Sequence, residues 1–322
     1  MWNKQKKEIA MILKKFFCFV FLLVPVFLCA QTPKPFPKPN IIPHAQWHKI
    51  PPGGFPAEGC RRNIEPGEKI QFQNLIIELI AMTPAPAEDK NAKDAVKIKI
   101  AIGEKSEEKT LPEGAAFNWE GFHVAIIAAH TKKGELGEGL TEFEITTIAS
   151  IPPEAAAMTI AGDAKSRARI KHNINAITLH HAGDPKPVTP EDSPIKKLQG
   201  LQSFSMNDRV WWDVPYHFLI ALDGTIYEGR DYHYAGDTNT KYNPEGHFLI
   251  EVMGNYELQE ANEAQIKSIT DLMAWAVQEY NLPLDKIYGH KDHAQTVCPG
   301  KNLYKYLKDG TFQRGIEMRL GK

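Results

Sequence analysis

Three short stretches concentrate the residue types that do chemistry in this chain. Thr178-Leu179-His180-His181-Ala182-Gly183 closes an apolar run; Tyr288-Gly289-His290-Lys291-Asp292-His293 is followed by Thr296-Val297-Cys298-Pro299-Gly300; Asp213-Val214-Pro215-Tyr216-His217-Phe218 leads into another apolar run. Imidazole and thiolate are the borderline-soft ligands that Zn²⁺ favours, and three protein ligands with a fourth position open define a catalytic rather than a structural site. More than a hundred residues separate the first histidine pair from the second group. That distance argues against a zinc finger and suits a site assembled on neighbouring strands and loops. Successive side chains of a strand face opposite sides, so only one of His180 and His181 can share a given face. A fourth residue belongs with these: Glu251 lies inside Phe248-Leu249-Ile250-Glu251-Val252-Met253, where a carboxylate is costly to bury without a purpose.

The surrounding elements follow from local patterns. Ile174–His180, Phe218–Leu222 and Phe248–Met253 read as strands, and Asp223-Gly224 is a two-residue hairpin signal leading into Thr225–Glu228. Asn262 through Tyr280 predicts a helix, with Asn262 as cap, Gln265 in the capping-box position and apolar residues at helical spacing. Helix interspersed with strand predicts, over 165–318, an α/β domain with a central mixed β-sheet flanked by helices. Upstream, Phe72–Ile80, Val96–Ile102, Phe122–Ala129 and Phe143–Ala149 are β-rich runs with no convincing helix, predicting an all-β, sandwich-like accessory domain over 63–152. His123 and His130 flank one of its strands and read as surface or packing residues; nothing there indicates a ligand. The proline-rich stretch 32–43 predicts an extended, semi-rigid linker over 31–62, and 151–170 reads as the link between the domains.

The N-terminus reads as a secretory signal over 1–30: five lysines and one glutamate precede a thirteen-residue apolar run, Phe16–Leu28, too short to cross a bilayer comfortably as a helix. Cleavage after Ala30 fits, giving an exported protein, periplasmic or extracellular, with no transmembrane span. Lipid anchoring at Cys29 is disfavoured by the bulk of Leu28 before it. The whole chain carries a formal charge of -1, and removal of the signal leaves about -5, which excludes nucleic-acid binding through bulk charge. Only Cys60 and Cys298 then remain, too few for a disulfide framework, although a bridge between them is one reading.

Taken together, ITLHHAG, WWDVPYHFLIALDGTIYEGRD, IEVMGNYE, the capped helix and IYGHKDHAQTVCPGKNLY resemble, in order and spacing, the family of phage-type N-acetylmuramoyl-L-alanine amidases and peptidoglycan recognition proteins. The resemblance covers about 130 residues, Ile174 to Tyr306. It implies Zn²⁺ held by His180, His290 and Cys298, with His181 turned away, and a peptidoglycan or muropeptide substrate cut between N-acetylmuramic acid and L-alanine. It places Tyr216 where the family has a catalytic tyrosine, and Glu251 where its anhydro-muropeptide amidases carry a catalytic glutamate. Thr296 stands where some phage-type enzymes have lysine and amidase-active recognition proteins often have threonine. In Tyr234-Ala235-Gly236, Tyr234 replaces the family's usual histidine, with His233 displaced by one, so neither inherits a substrate contact. Three other readings stay open: a non-catalytic peptidoglycan-binding protein, a thiol hydrolase with Cys298 as nucleophile and His290 as base, and a structural Cys60–Cys298 bridge.

Overall fold

Alternating apolar and polar side chains put Val96, Ile98 and Ile100 on one face of a strand, and all three are fully buried. The structure is a computed structural model that describes residues 34–48, 58–89, 91–135, 137–148, 168–209 and 211–322; the expected signal segment and most of the link at 151–170 lie outside them. Its first strands are β1 (Ile41–Ile42), β2 (Gly59–Ile64), β3 (Lys69–Phe72), β4 (Leu75–Thr83), β5 (Ala95–Ile102), β6 (Lys105–Pro112), β7 (Ala116–Trp119), β8 (Phe122–Ala129) and β9 (Thr141–Thr147). Strands β2-β9-β8-β7 and β3-β4-β5-β6 make two four-stranded antiparallel sheets. Ile77, Leu79 and Ile98 from one sheet share a core with Val124, Ile126 and Phe143 from the other. Each such fully buried side chain contributes about 1.5–3 kcal/mol. The run expected as one strand over Phe72–Ile80 is instead a hairpin: Gln73 takes a left-handed φ of 55°, and Phe72 pairs with Leu75 across the turn.

The second half contains β10 (Ala176–His181), α1 (Pro194–Asn207), β11 (Phe218–Ile220), β12 (Ile226–Glu228), β13 (His247–Val252), α2 (Glu263–Glu279), β14 (Ile287–Gly289), α3 (Lys301–Lys308) and α4 (Thr311–Leu320). One six-stranded sheet, in the order β1-β12-β11-β13-β10-β14, organises it. Its pairs are parallel except the β11–β12 hairpin, so the sheet is mixed. Ile177, Leu179, Phe248 and Ile250 point to one face and pack with Ile269 and Met273 of α2 and Ile316 of α4. On the other face Leu219 and Met253 pack with Leu198 of α1 and with Trp47.

Trp47 belongs to the stretch expected as a tether, and here the structure differs. Residues 36–48 are tied down along their length. Phe36 exchanges two hydrogen bonds with the Gln278 side chain, β1 adds an edge strand to the sheet, and Trp47 Nε1 donates to Glu228 O at 2.8 Å. Proline keeps this segment extended, as its composition demands, but its apolar side chains have a surface to cover. The two-sheet unit therefore enters the chain between residue 48 and residue 168, inside the α/β domain. A buried charge cluster joins the two: Arg61 on β2 reaches Glu142 at 2.8 Å and Asp237 at 3.5 Å, and Asp237 also pairs with Arg230.

Candidate metal centre

Strand register decides which side chains meet. Across β10 and β13, His180 lies opposite Glu251, and Leu179 lies opposite Gly289 on β14, so His290 follows immediately beside His180. Pleating sends His180 and Glu251 to the same face and His181 to the other. There His181 Nδ1 accepts a hydrogen bond from Tyr256 N at 3.1 Å, and the ring takes no part in the donor cluster.

That cluster is His180, His290 and Cys298, all buried, whose donor atoms lie within 4.8 Å of one another. Cys298 Sγ is 3.6 Å from His180 Nδ1. Bonds of about 2.3 Å to sulfur and 2.0–2.1 Å to nitrogen at tetrahedral angles separate two such ligands by about 3.6 Å, so the donor set fits zinc. His180 Nε2 is buried without a hydrogen-bond partner. Burial, together with the neighbouring His290, holds the His180 imidazole well below its ordinary range, and burial with His293 brings His290 down to about 4. Both rings are therefore neutral near pH 7, the form that binds a metal. Burial also pushes the Cys298 thiol up to about 12, although the His181 N–H donates to its sulfur at 3.4 Å. Such a thiol is no nucleophile by itself, whereas coordination to a divalent cation deprotonates it.

The loop that brings Cys298 to the strands is built for close approach. A Cβ on Gly289 would stand 2.9 Å from Pro299 Cδ and Tyr304 Cδ2. Gly300 has φ +86° and lies so near the Tyr256 backbone that a Cβ would come within 2.4 Å of Tyr256 C. Thr296 closes the loop: its hydroxyl oxygen accepts from Cys298 N at 3.2 Å, which leaves its proton free to donate. A second layer holds the histidines. His290 Nε2 pairs with Thr240 Oγ1 at 2.9 Å, and the Tyr242 hydroxyl donates to Thr178 Oγ1 at 3.2 Å on the strand that carries His180. The Thr240 loop is gripped from the other domain: Asn63 Nδ2 donates to Thr238 O and Thr240 O, both at 3.5 Å, and Glu65 pairs with Lys241. Thr240 and Tyr242 have no sequence signature, because their loop reads only as turn-forming residues.

A groove of about 350 Å³ runs over the same face, lined by Asp184, Lys197, Phe204, Tyr216, Glu251 and Met253, among others. Burial raises the Glu251 carboxyl to about 8, with the negative charge of Asp184 adding and Lys197 opposing. A cation held by His180, His290 and Cys298 would favour its ionised form. The Tyr216 ring stands 5.0 Å from that of His180, and burial keeps its hydroxyl protonated well beyond its ordinary range. The two residues with doubtful inheritance lie elsewhere: Tyr234 donates to Glu58 Oε1, and His233 pairs with Asp231. Cys60 and Cys298 are both free thiols.

A family model described as N-acetylmuramoyl-L-alanine amidase matches residues 170–301. Peptidoglycan-recognition protein SC2 of Drosophila melanogaster is 30% identical over 146 residues, 45% of this chain and 78% of the relative. An N-acetylmuramoyl-L-alanine amidase of Mus musculus is 33% identical over 138 residues, 42% of this chain. The match spans about a quarter of that mouse protein, 26%. Among solved structures, the amidase LysC of Clostridium intestinale is similar at 29% identity and a TM-score of 0.37, covering 44% of this chain and 86% of LysC.

Proposed function

This chain belongs to the N-acetylmuramoyl-L-alanine amidase family, and from that premise we propose that residues 165–318 form a zinc-dependent hydrolase of the amide joining N-acetylmuramic acid to L-alanine. The substrate is peptidoglycan or its muropeptides, and the compartment is periplasmic or extracellular. Among the described residues no helix is long and apolar enough to cross a membrane. One observation carries the reading: the convergence of His180, His290 and Cys298 beside a buried carboxylate at a groove.

Zinc held by those three side chains supplies Lewis acidity, which polarises a carbonyl and makes water a stronger acid. The rest falls to this chain's own groups. The Glu251 carboxylate takes a proton from the attacking water and returns it to the leaving alanyl nitrogen. Tyr216 stays protonated and donates to the oxyanion that develops on the carbonyl oxygen, joined by the free hydroxyl proton of Thr296. Lys197, paired with Asp184 at 3.2 Å, sets charge at the wall of the groove.

Recognition without cleavage is the second reading, because one of the relatives is a recognition protein; the complete His-His-Cys set favours hydrolysis. Metal analysis of the purified chain, with mass spectrometry of digested muropeptides, tests both. The expected result is zinc-dependent release of stem peptides with a free L-alanine amine, abolished by chelation and restored by zinc. Zinc-loaded protein that binds muropeptides and leaves them intact overturns hydrolysis. Activity that survives chelation but not thiol alkylation transfers the chemistry to Cys298. Glu251→Gln should keep its zinc and lose about 10²–10⁴-fold in rate; unchanged cleavage removes Glu251 from the mechanism.

A further inference from the structure

The segment ahead of the two-sheet unit carries a second convergence of donor side chains, sharing no residue with the centre above. His44 and His48 stand on one tight turn, where the Trp47 and His48 N–H groups both return to His44 O at 3.1 and 3.0 Å. Their rings lie side by side, with centroids 3.6 Å apart. Both face Asp213, whose side chain is fully buried: His44 Nε2 is 3.0 Å from Oδ2, and His48 Nε2 is 3.3 Å from Oδ1. The three donor atoms lie within 4.8 Å of one another.

We propose that His44, His48 and Asp213 form a second zinc site, a structural one, which fastens the N-terminal segment to the loop leading to Tyr216. Asp213 is paired with both imidazoles, and the three groups also stand where ligands of one ion would stand. Oδ1 already accepts from Val214 N at 2.8 Å and Gln202 Nε2 at 3.3 Å, so His48 approaches an oxygen that has its partners. Oδ2 and His44 Nε2 are both buried and 3.0 Å apart, close enough to share one ion as well as to pair directly. Two ligands of one zinc ion, each bonded at about 2.0–2.2 Å, stand about 3.0–3.5 Å apart without pointing at each other. Two imidazoles and a carboxylate are a donor set that zinc and its neighbours in the first transition row accept. The carboxylate reduces the ion's charge inside the fold, and the Val214 and Gln202 bonds to Oδ1 hold Oδ2 in place, as outer partners of metal ligands do.

The site is fastened on both sides. His44 N donates to Glu228 Oε2 at 3.1 Å, and Trp47 is buried against the sheet. Asp213 is followed directly by Val214, which lies in the same small core as Trp47. An ion here would cross-link two chain segments 165 residues apart in sequence, closing a loop that contains the whole two-sheet unit.

The test uses tag-free full chain in which His180→Ala and Cys298→Ser leave only His290 at the first centre. After equilibration with zinc and removal of free ion, about one zinc per chain should remain. Adding His44→Ala and His48→Ala in the same background should reduce it to none. Cobalt in the two-substitution protein should absorb in the visible without the thiolate-to-metal band that Cys298 would give. Folded two-substitution protein that retains no zinc overturns the proposal and leaves Asp213 ion-paired only. Should the four-substitution protein fail to fold, the melting temperature of the two-substitution protein decides: a rise on adding zinc supports the site, and no shift overturns it. Because the first centre is disabled throughout, its own success or failure does not enter the result.

Discussion

At the scale of single residues, the centre depends on neutral imidazoles held at a fixed angle, and Thr240 supplies one of those constraints. Its hydroxyl occupies His290 Nε2, leaving Nδ1 for a metal. Outer partners of this kind are worth about 10–100-fold in metal affinity when removed. Thr240→Val keeps the shape and deletes the hydroxyl, so zinc competition with a chromogenic chelator should show affinity lower by about that factor. Unchanged affinity would mean that packing alone orients His290. That His180, His290 and Cys298 belong together was legible through the family resemblance of ITLHHAG and IYGHKDHAQTVCPGKNLY, and the structure brings the three side chains to one place. Glu251 was legible for a different reason: a carboxylate amid Phe248, Leu249 and Ile250 stands out against its neighbours. Thr240 and the His44–His48 pair were not. A threonine in a turn-rich loop and two histidines after a proline run look ordinary until residues 50 and 165 positions away in sequence fold against them.

At the scale of elements, the loop from β14 to α3 brings Cys298 to the strands and tolerates little. Gly300 combines a left-handed φ with backbone contact to Tyr256. Gly300→Ala should destabilise by about 1–3 kcal/mol from the backbone conformation alone, with further loss from the clash. Urea unfolding followed by tryptophan fluorescence measures it, and stability equal to wild type would show that the loop can relax. Elements with strong local signals came through the sequence well. Asn262 caps α2 and Gln265 completes the capping box, because that exchange needs only four consecutive residues. Asp223-Gly224 does lie in the turn between β11 and β12, but that turn runs over 221–225 rather than two residues, closed by Ala221 N donating to Thr225 O at 2.9 Å. The failures share a cause too. β1 has only two residues, and its partner Ile226 is 185 positions away, so no local pattern could announce it. β6, with Lys105, Glu107, Glu108 and Lys109, is too polar to read as a strand, yet it is held by its ladder to β5.

At the scale of the whole molecule, the charge cluster that reaches the joint through Arg61 and Asp237 begins inside the two-sheet unit, and that inner part depends on pH. Burial alone would raise the Glu142 carboxyl, but His130 and Arg61 outweigh it and hold the pKa at about 2. His130 is raised in turn by its hydrogen bond to Glu142 at 2.9 Å. Stability from His130 is fully present below its unfolded value of 6.5 and is lost as pH rises through its higher folded value. Stability from Glu142 is present above 4.5 and is lost only as pH falls through about 2. The pair therefore contributes most between 4.5 and 6.5. The melting temperature of wild type minus that of His130→Gln should shrink as pH rises beyond this window. A difference constant with pH would assign His130 a packing role. The insertion of the two-sheet unit after residue 48 has a temporal side as well. During synthesis, residues 59–147 can pair among themselves as soon as they emerge, since every strand of those two sheets has its partners within that stretch. Ile41 must wait for Ile226, and Phe36 for Gln278, before either has anything to hold. Long-range contacts of that kind form late and slowly. The β unit can thus be finished while the α/β half is still an open chain, and the candidate metal centre is complete only once Cys298 has emerged.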